Sequence, residues 1–244
     1  MGEEFARQID QKCLGLDEIW LIARRKDRLE QLSDKLTCPV KIFDLDLLKE
    51  DSYFAIKNAL KTYQPVICIA VNCAGYGKTG PFTAISEADS VGMIDLNCRA
   101  LTRMTYLLLP YMRRKSYLIQ VASVAGILPQ PNFAVYAASK AYVLSLSRAL
   151  REELRSDMIS VTAVCPGPVS TDFFSVAEET GSPFALKKYF MAQKEKVVKK
   201  ALRDTFAGKD VSVYGLSMKA LRLLVKIVPQ KIILFIYGKL CRGT

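Results

Sequence analysis

The chain has 244 residues, 50% of them hydrophobic and 24% charged, which is enough for one sizeable core in a single domain over residues 1–244. It contains no histidine, so serine-hydrolase triads, most zinc chemistry and histidine acid–base catalysis lose their usual proton carrier. The net charge of +11 is spread along the chain rather than interleaved with aromatic residues, which favours a solvated basic surface that attracts an anionic cofactor over a nucleic-acid-binding protein.

The seven cysteines are scattered and form no CxxC pair, so they predict buried, reduced thiols and no metal site. The sequence has no secretory signal and no uncharged apolar run of about 18 residues. These features predict a cytoplasmic protein.

Short apolar segments alternate with longer helical patterns along the whole chain. In chain order, the predicted strands are EIWLIA, VKIFDL, VICIAVN, SYLIQVA, ISVTAVCP and DVSVYG. The predicted helices cover 3–12, 26–36, 49–62, 86–114, 134–156 and 193–207. This alternation predicts an α/β fold in which a doubly wound parallel sheet lies between two helical layers. Ligands of such sheets bind beyond the carboxyl ends of the strands, so the residues after each strand are the functional candidates.

The first predicted helix begins at Gly2 and has no strand in front of it. A strand–turn–helix dinucleotide site needs an apolar strand, a glycine-rich turn and a helix whose amino end faces the pyrophosphate. Only the helix of such a unit is visible in this sequence.

Two further features lie in the middle of the chain. The strand VICIAVN ends in Asn72-Cys73-Ala74-Gly75, a turn of small residues that could pass beneath a ligand. Asn97 lies inside a predicted helix, although asparagine is a poor helix former. Asn97 is either a helix-surface amide or the site of a local break that frees a carbonyl for a water molecule or for Lys140.

A candidate catalytic group follows the strand SYLIQVA. Ser123 comes directly after this strand, and Tyr136 and Lys140 are four residues apart on the next predicted helix, hence on one face. An ammonium about 4 Å from the phenol would contribute roughly 4 kcal/mol at an effective dielectric of about 20, or about three pKa units. We therefore expect Lys140 to lower the pKa of Tyr136, which exchanges a proton while Ser123 holds the substrate oxygen.

The Tyr-x-x-x-Lys pattern is weak by itself, because it also occurs at Tyr53/Lys57 and Tyr111/Lys115. Only Tyr136 has a strand-end serine upstream. It also lies among small residues that let a ligand approach the helix, namely Ala134, Ala137, Ala138, Ser139 and Ala141.

The carboxyl-terminal part contributes a turn, an aromatic segment and a basic tail. After ISVTAV, the stretch from Cys165 through Pro166, Gly167, Pro168, Val169 and Ser170 to Thr171 forces a turn and offers backbone and hydroxyl donors. Residues 172–192 carry several aromatic side chains, and either cover an apolar substrate or pack onto the core. The amphipathic basic tail, about 216–244, either lies on an anionic membrane or packs against the core or a second subunit.

Together these motifs resemble the short-chain dehydrogenase/reductase family, and the resemblance covers nearly the whole chain from Gly2 to about residue 215. It implies that Asn97, Ser123, Tyr136 and Lys140 are the catalytic set. It implies cofactor contacts from Gly2, Asn72, Ala74, Gly75, Tyr136, Lys140, Pro166, Gly167, Val169 and Thr171. The implied reaction is hydride transfer between NAD(P)(H) and an alcohol or a carbonyl, and residues 172–192 correspond to the family's substrate cover.

The predicted cofactor is NADP(H), with NAD(H) as the alternative. The strand EIWLIA ends in Ala23-Arg24-Arg25, where a carboxylate would bind a ribose 2′-hydroxyl and an arginine would accept a 2′-phosphate. The other interpretation of Arg24 and Arg25 is that they are solvated charges. Asp44, at the end of the next strand, is a candidate acceptor for the adenine amino group.

The family's first strand and most of its TGxxxGxG turn have no counterpart here, since Met1-Gly2 aligns with the end of that turn. The strand order 3-2-1-4-5-6-7 that the resemblance implies would therefore lack its central strand. Three explanations stay open: the chain starts at an internal methionine of a longer enzyme, the two flanking strands pair directly, or the chain is a catalytically impaired relative that acts as an interaction or membrane-associated module. The resemblance also predicts a small-molecule carbonyl or alcohol as the substrate. A homo-oligomer is a further possibility for the assembly of the chain.

Overall fold

The structure, a computed structural model, describes residues 1–13, 15–171, 173, 177 and 191–235. Its strands are β1 (Ile19–Ala23), β2 (Val40–Asp44), β3 (Ile67–Asn72), β4 (Met112–Val121), β5 (Ser160–Cys165) and β6 (Val211–Val213). Its α-helices are α1 (Gly2–Lys12), α2 (Lys26–Ser33), α3 (Glu50–Tyr63), α4 (Glu87–Ile94), α5 (Leu101–Leu108), α6 (Ala134–Glu153), α7 (Lys194–Phe206) and α8 (Leu216–Ile227).

All the paired strands are parallel, as the alternation of elements predicts. β1 pairs with β2, and β3, β4, β5 and β6 form a second sheet in that order. Neighbouring residues of β4 point to opposite faces: Ile119 packs with α1 and α7, whereas Leu118 packs on the other side of the sheet, towards Leu150 of α6. Helices therefore cover both faces, and the predicted doubly wound α/β architecture is confirmed.

One of the three explanations, that the strands on either side of the family's first strand pair directly, is wrong. Within the described residues these strands, β1 and β3, belong to separate sheets. The sheets nevertheless share packing partners. On one face, α1 places Phe5 against Ile119 and Ala6 against Leu21 of β1. On the other face, Ile56 of α3 belongs to a cluster that contains residues of both β1 and β3. Packing by helices rather than hydrogen bonding between strands joins the two sheets.

The helix predicted over 86–114 is shorter and less regular than expected. α4 runs into a π-helix at Asp95–Ala100, α5 ends at Leu108, a 3-10 turn covers Leu109–Tyr111, and β4 already begins at Met112. Pro110 explains the early end, because proline lacks the N–H that the next helical turn needs.

The cysteines of the described residues are all unpaired. Cys98 and Cys165 are buried as predicted, but Cys68 is exposed, so the prediction that all the thiols are buried is wrong for Cys68. Cys241 lies outside the described residues.

Candidate active site

The predicted catalytic side chains meet at the carboxyl end of β4. Ser123 follows this strand, and its Oγ accepts a hydrogen bond of 3.1 Å from the Ala125 amide, which caps a short 3-10 turn. A Cβ on Gly126 in that turn would lie 2.5 Å from the carbonyl oxygen of Lys140, so glycine lets the turn touch α6 directly. Ser123, Tyr136 and Lys140 are all buried.

Lys140 is anchored to the end of β4 and to the turn after β3. Its Nζ donates to the Val121 carbonyl at 2.9 Å. A Cβ on Gly75 would lie 3.2 Å from Nζ and 2.7 Å from Oδ1 of Asn97. The Ala74–Gly75 backbone therefore passes directly beside two of the predicted catalytic side chains.

Asn97 lies in the π-helix, so the helix is irregular at this residue, and the carbonyl that such a break would free stays a prediction. Its amide holds the backbone of Tyr76 in both directions, because Oδ1 accepts from the Tyr76 amide (3.0 Å) and Nδ2 donates to the Tyr76 carbonyl (2.9 Å). Nδ2 also donates to Oγ of Ser139 at 2.9 Å, and that hydroxyl donates to the Tyr136 carbonyl at 2.7 Å. Asn97 thus ties the turn after β3 to the helix that carries Tyr136, and it is no surface amide.

The pKa values differ from the expected ones. Burial raises the pKa of Tyr136, and the opposing interaction with the Ser123 side chain is weaker. Burial also lowers the pKa of Lys140 to about 8. The Nζ of Lys140 lies 5.7 Å from the centre of the Tyr136 ring, and Lys140 is not among the main influences on that phenol. The structure therefore gives Tyr136 a raised rather than a lowered pKa, because desolvation of the phenol is the largest influence on it.

An aromatic environment around Tyr136 has no counterpart in the sequence analysis. The ring of Phe133 stacks on that of Tyr136 with centroids 4.3 Å apart, and the ring of Phe173 lies 5.3 Å away on a tilted plane. Gly77 approaches the same ring, since a Cβ there would lie 2.7 Å from Cδ2 of Tyr136. In the sequence, this environment is indicated by the position of Phe133, three residues before Tyr136 at the start of α6.

The other two Tyr-x-x-x-Lys pairs have structural roles. The hydroxyl of Tyr53 donates to the Leu47 carbonyl at 2.5 Å, and the Arg103 guanidinium lies 3.7 Å from its ring centre. Tyr111 belongs to the 3-10 turn before β4, so it shares no helical face with Lys115.

The amino end of α1 adjoins the turn after β3. A Cβ on Gly2 would lie 3.8 Å from Cβ and Sγ of Cys73, an ordinary contact distance. Asn72 has a structural contact instead: its Nδ2 donates to Thr105 and to Gln120, at 3.0 Å each. The Nδ2 group of Asn72 is thus used between β3, β4 and α5.

The residues predicted to contact the adenosine half of the cofactor lie at the same edge of the sheet. Ala23 and Asp44 lie opposite each other in the register of β1 and β2, at the carboxyl ends of these strands. Arg24, Arg25 and Asp44 are exposed, and neither arginine has a carboxylate partner among the described residues. Arg24 acts electrostatically on Tyr76, in the turn after β3, which lowers the pKa of that phenol against the effect of burial.

The turn after β5 lies against both α8 and the Ser123 region. The Pro166 carbonyl accepts from the Val124 amide at 3.0 Å, and a Cβ on Gly167 would lie 2.9 Å from Sδ of Met218. Val169 forms an isolated parallel bridge with Ala192. The Thr171 hydroxyl makes local contacts, with the Val169 carbonyl and the Phe173 amide.

Most of the predicted substrate cover, 172–192, lies outside the described residues. Two described positions within it contact the site region. Phe173 packs on Tyr136, and the Ala177 carbonyl accepts hydrogen bonds from both the amide and the hydroxyl of Thr79, at 2.9 Å each.

Comparisons with known proteins agree with this arrangement. Residues 1–181 match the model of the family described as short chain dehydrogenase. An uncharacterised oxidoreductase of Staphylococcus epidermidis is 28% identical over 195 residues, which cover 79% of this chain and 81% of that protein. The human very-long-chain 3-oxoacyl-CoA reductase is 31% identical over 190 residues, which cover 74% of this chain and 59% of that protein.

Among solved structures, a short-chain dehydrogenase of Sphingobium yanoikuyae in complex with NADPH is similar, with a TM-score of 0.72 and 26% identity over 94% of this chain and 91% of that one. The family match spans the amino end of α1, the turn after β3, the π-helix and the Ser123, Tyr136 and Lys140 cluster. The chain belongs to the short-chain dehydrogenase family.

Proposed function

We propose that this chain is an NADP-preferring oxidoreductase that interconverts a carbonyl and a secondary alcohol, with an apolar substrate. The observation that carries the proposal is the convergence of Ser123, Tyr136 and Lys140 in one buried cluster beyond the carboxyl end of β4. This is the edge at which doubly wound sheets bind ligands. Without a histidine in the chain, a phenol is the natural group to exchange the proton.

In this proposal the phenol of Tyr136 is the acid for carbonyl reduction. The nicotinamide cofactor supplies the hydride when it is bound. Burial raises the pKa of Tyr136, so the phenol keeps its proton at neutral pH and can donate it to the carbonyl oxygen. In the direction of oxidation, the phenol must first release its proton to solvent, and the resulting phenolate oxygen then accepts the proton of the alcohol. The Ser123 hydroxyl orients the substrate oxygen towards that phenol.

Lys140 and Asn97 support this chemistry by positioning the groups around Tyr136. The hydrogen bond from Nζ of Lys140 to Val121 fixes the amine at the end of β4, where it is placed to hold the nicotinamide ribose. Asn97 positions the Tyr76 backbone and, through Ser139, the first turn of α6. We assign Asn97 the support of a water relay that reprotonates the site.

Several features fit a dinucleotide. The amino end of α1 offers backbone amides and a positive helix dipole to a pyrophosphate, beside the small-residue turn at Ala74–Gly75. Glycine at position 75 lets the side chains of Asn97 and Lys140 approach the backbone of that turn closely. The guanidinium groups of Arg24 and Arg25, which have no carboxylate partner within the part of the chain that the structure describes, suit a 2′-phosphate, and Asp44 beside them suits the adenine amino group.

The proposal that the substrate is apolar is based on the aromatic residues around the phenol of Tyr136. Phe133 and Phe173 flank Tyr136, so a substrate carbon next to the reacting oxygen would contact apolar surface. The similarity to a very-long-chain 3-oxoacyl-CoA reductase supports a lipid-like carbonyl compound. A steroid-like carbonyl compound would suit the same surface.

The cofactor preference can be tested by thermal unfolding of the full chain with NADPH or NADH. We expect NADPH to raise the melting temperature more strongly. The double variant Arg24→Gln/Arg25→Gln should lose about 10- to 100-fold in NADPH affinity and little in NADH affinity, because a charge-assisted contact is worth about 1.5–3 kcal/mol. Arg113→Gln, at the amino end of β4 and hence at the opposite edge of the sheet, is the control.

Equal protection by the two cofactors would contradict the NADP preference. Protection by neither cofactor would favour the second candidate, a catalytically impaired interaction or membrane-associated module. The observation behind this candidate is the lack of hydrogen bonds between β1 and β3 in the described residues, beside the turn that would hold the pyrophosphate.

A further inference from the structure

Helix α8 carries an apolar surface on the side that faces solvent. Leu216 is 84% exposed, Leu223 59% and Ile227 72%, and their spacing of seven and four residues places them on one face of the helix. Just after the helix, Ile232 and Phe235 are also exposed. We call the side chains of Leu216, Leu223 and Ile227 the apolar face of α8.

The opposite side of α8 already makes the contacts that hold the helix to the protein. Met218 packs against a core cluster that includes Val211 and Val213, and it touches Gly167. Val225 lines a pocket against α6 together with Ile127 and Leu144. The apolar face of α8 is therefore not needed to attach the helix. Single exposed apolar side chains are ordinary, but a contiguous group of large ones marks an interaction surface.

The charge of this region indicates which partner covers the surface. From Val211 to Thr244 the sequence contains no aspartate or glutamate, but it contains Lys219, Arg222, Lys226, Lys231, Lys239 and Arg242. Lys219 and Lys231 are exposed next to the apolar face. A second copy of the chain would bring the same positive charge against itself, whereas an anionic lipid surface attracts each basic side chain by about 1 kcal/mol.

The geometry favours a helix that lies on a membrane. No helix within 1–13, 15–171 and 191–235 combines the length and the apolar character needed to cross a bilayer. α8 ends at Ile227, shortly before Pro229, so it is a short amphipathic element with basic side chains beside its apolar residues. Such helices bury their apolar side at the boundary between headgroups and acyl chains.

We propose that the apolar face of α8 inserts into the surface of a bilayer that contains anionic lipid, with Lys219 and Lys231 against the headgroups. Because Met218 fixes α8 beside the turn after β5, the docked helix lies next to the candidate active site. This position would suit a lipid-like substrate, but the docking itself does not depend on the proposed oxidoreductase activity.

The test is co-sedimentation of the full chain with vesicles of phosphatidylcholine alone or of phosphatidylcholine mixed with phosphatidylserine. We expect sedimentation with the anionic vesicles and release at high salt. The double variant Leu223→Ser/Ile227→Ser should bind at least about tenfold more weakly, because two apolar side chains no longer enter the lipid. The control is Phe54→Ser, which removes a similarly exposed aromatic side chain from α3.

Thermal unfolding of each variant in the absence of vesicles checks that it is folded. The Lys219→Gln/Lys231→Gln variant should lose binding mainly to the anionic vesicles. The proposal is overturned if the wild-type chain stays in the supernatant with both kinds of vesicle, or if Leu223→Ser/Ile227→Ser binds as well as the wild type. Self-association that Leu223→Ser/Ile227→Ser abolishes, without vesicle binding by the wild type, would identify a second copy as the occupant and also overturn it. These readouts require no cofactor and no turnover.

Discussion

Tyr136 is buried among aromatic rings, and this environment acts on its proton more strongly than its nearest charged neighbour does. Burial stabilises the neutral phenol and, by the same physics, destabilises the ammonium of Lys140. The interaction with Ser123 works against the first effect. The pKa values of Tyr136 and Lys140 therefore depend on the surrounding structure. The spacing of four residues between them along the helix did not reveal this dependence.

Replacement of Tyr136 by phenylalanine should separate chemistry from binding. Tyr136→Phe removes one oxygen and keeps the ring stacked on Phe133, so we expect turnover to fall about 10²- to 10⁴-fold while NADPH still raises the melting temperature. Steady-state kinetics and thermal unfolding measure the two effects. Tyr53→Phe should cost some stability, because it loses the hydrogen bond to Leu47, but little turnover. A similar loss of turnover in both variants would refute the role of Tyr136.

At the scale of the elements, short turns bring the carboxyl ends of the strands into contact with the helices. The turn after β3 passes beside Asn97 in the π-helix and beside Lys140 in α6. The 3-10 turn after Ser123 touches α6 through Gly126. The turns can come this close to the helices because they contain glycine. The Asn97 side chain, which donates to the Tyr76 carbonyl and to Ser139 of α6, joins the π-helix to both the turn and α6.

Two glycine variants test these contacts with opposite expectations. In Gly75→Ala the new methyl group would lie 2.7 Å from Oδ1 of Asn97, a distance that side chains do not tolerate. We expect a loss of about 1–3 kcal/mol in the free energy of unfolding, together with reduced turnover. Gly2→Ala meets nothing closer than 3.8 Å and should unfold like the wild type. Urea unfolding measures both variants, and an unchanged Gly75→Ala protein would contradict the packing described for the turn.

At the scale of the whole molecule, one covering of helices spans two separately paired sheets. α1 contacts β1 on one side and β4 and β5 on the other, while α3 closes the opposite face. The buried amine of Lys140 lies in this shared structure, hydrogen-bonded to the end of β4. Its ionisation is therefore linked to global unfolding, and the pH dependence of stability reports on it.

Lys140 should make a contribution to stability that rises with pH between about 8 and 10, whereas buried thiols such as Cys165, whose pKa burial raises to about 12, make a contribution that falls above about pH 9. The folded protein releases the Lys140 proton near pH 8, whereas the unfolded chain keeps it until about 10.5, so at this group the unfolded state binds more protons across this window and the contribution of Lys140 to the free energy of unfolding increases. The full difference corresponds to about 3 kcal/mol. Above pH 10 the raised pKa of Tyr136 has the opposite effect, because the folded state then binds the extra proton.

Compared with the wild type, Lys140→Met should lack this contribution, so its free energy of unfolding should have a lower slope against pH, whereas Lys57→Met, which replaces an exposed lysine on α3, should keep the wild-type slope. Urea unfolding at several pH values between 8 and 10 measures the slopes. Parallel slopes for the wild type and Lys140→Met would show that Lys140 titrates normally in the folded protein.

The alternation of strands and helices and the family motifs were readable from the sequence because they depend on local periodicity and spacing. The same local information explains why Ser123, Tyr136 and Lys140 could be chosen over the other Tyr-x-x-x-Lys pairs. Over 86–114 the sequence carries local signals of irregularity at Asn97 and Pro110, but the predicted helix is too long, because the start of β4 at Met112 depends on its pairing with β3. The hydrogen bonds from the Asn72 side chain to Thr105 and Gln120 were not readable either, because these partners are distant along the chain, and the role of Asn72 as a cofactor contact stays a prediction.

By itself, the sequence determined the α/β class, the absence of histidine chemistry, the basic tail and the order of the candidate residues along the chain. Only the tertiary structure decided that β1 and β3 do not pair, that burial raises the pKa of Tyr136, and which face of α8 points to solvent. The physical reason is that periodicity and motif spacing are local properties of a chain. Strand pairing, desolvation and exposure depend instead on which distant residues share a surface.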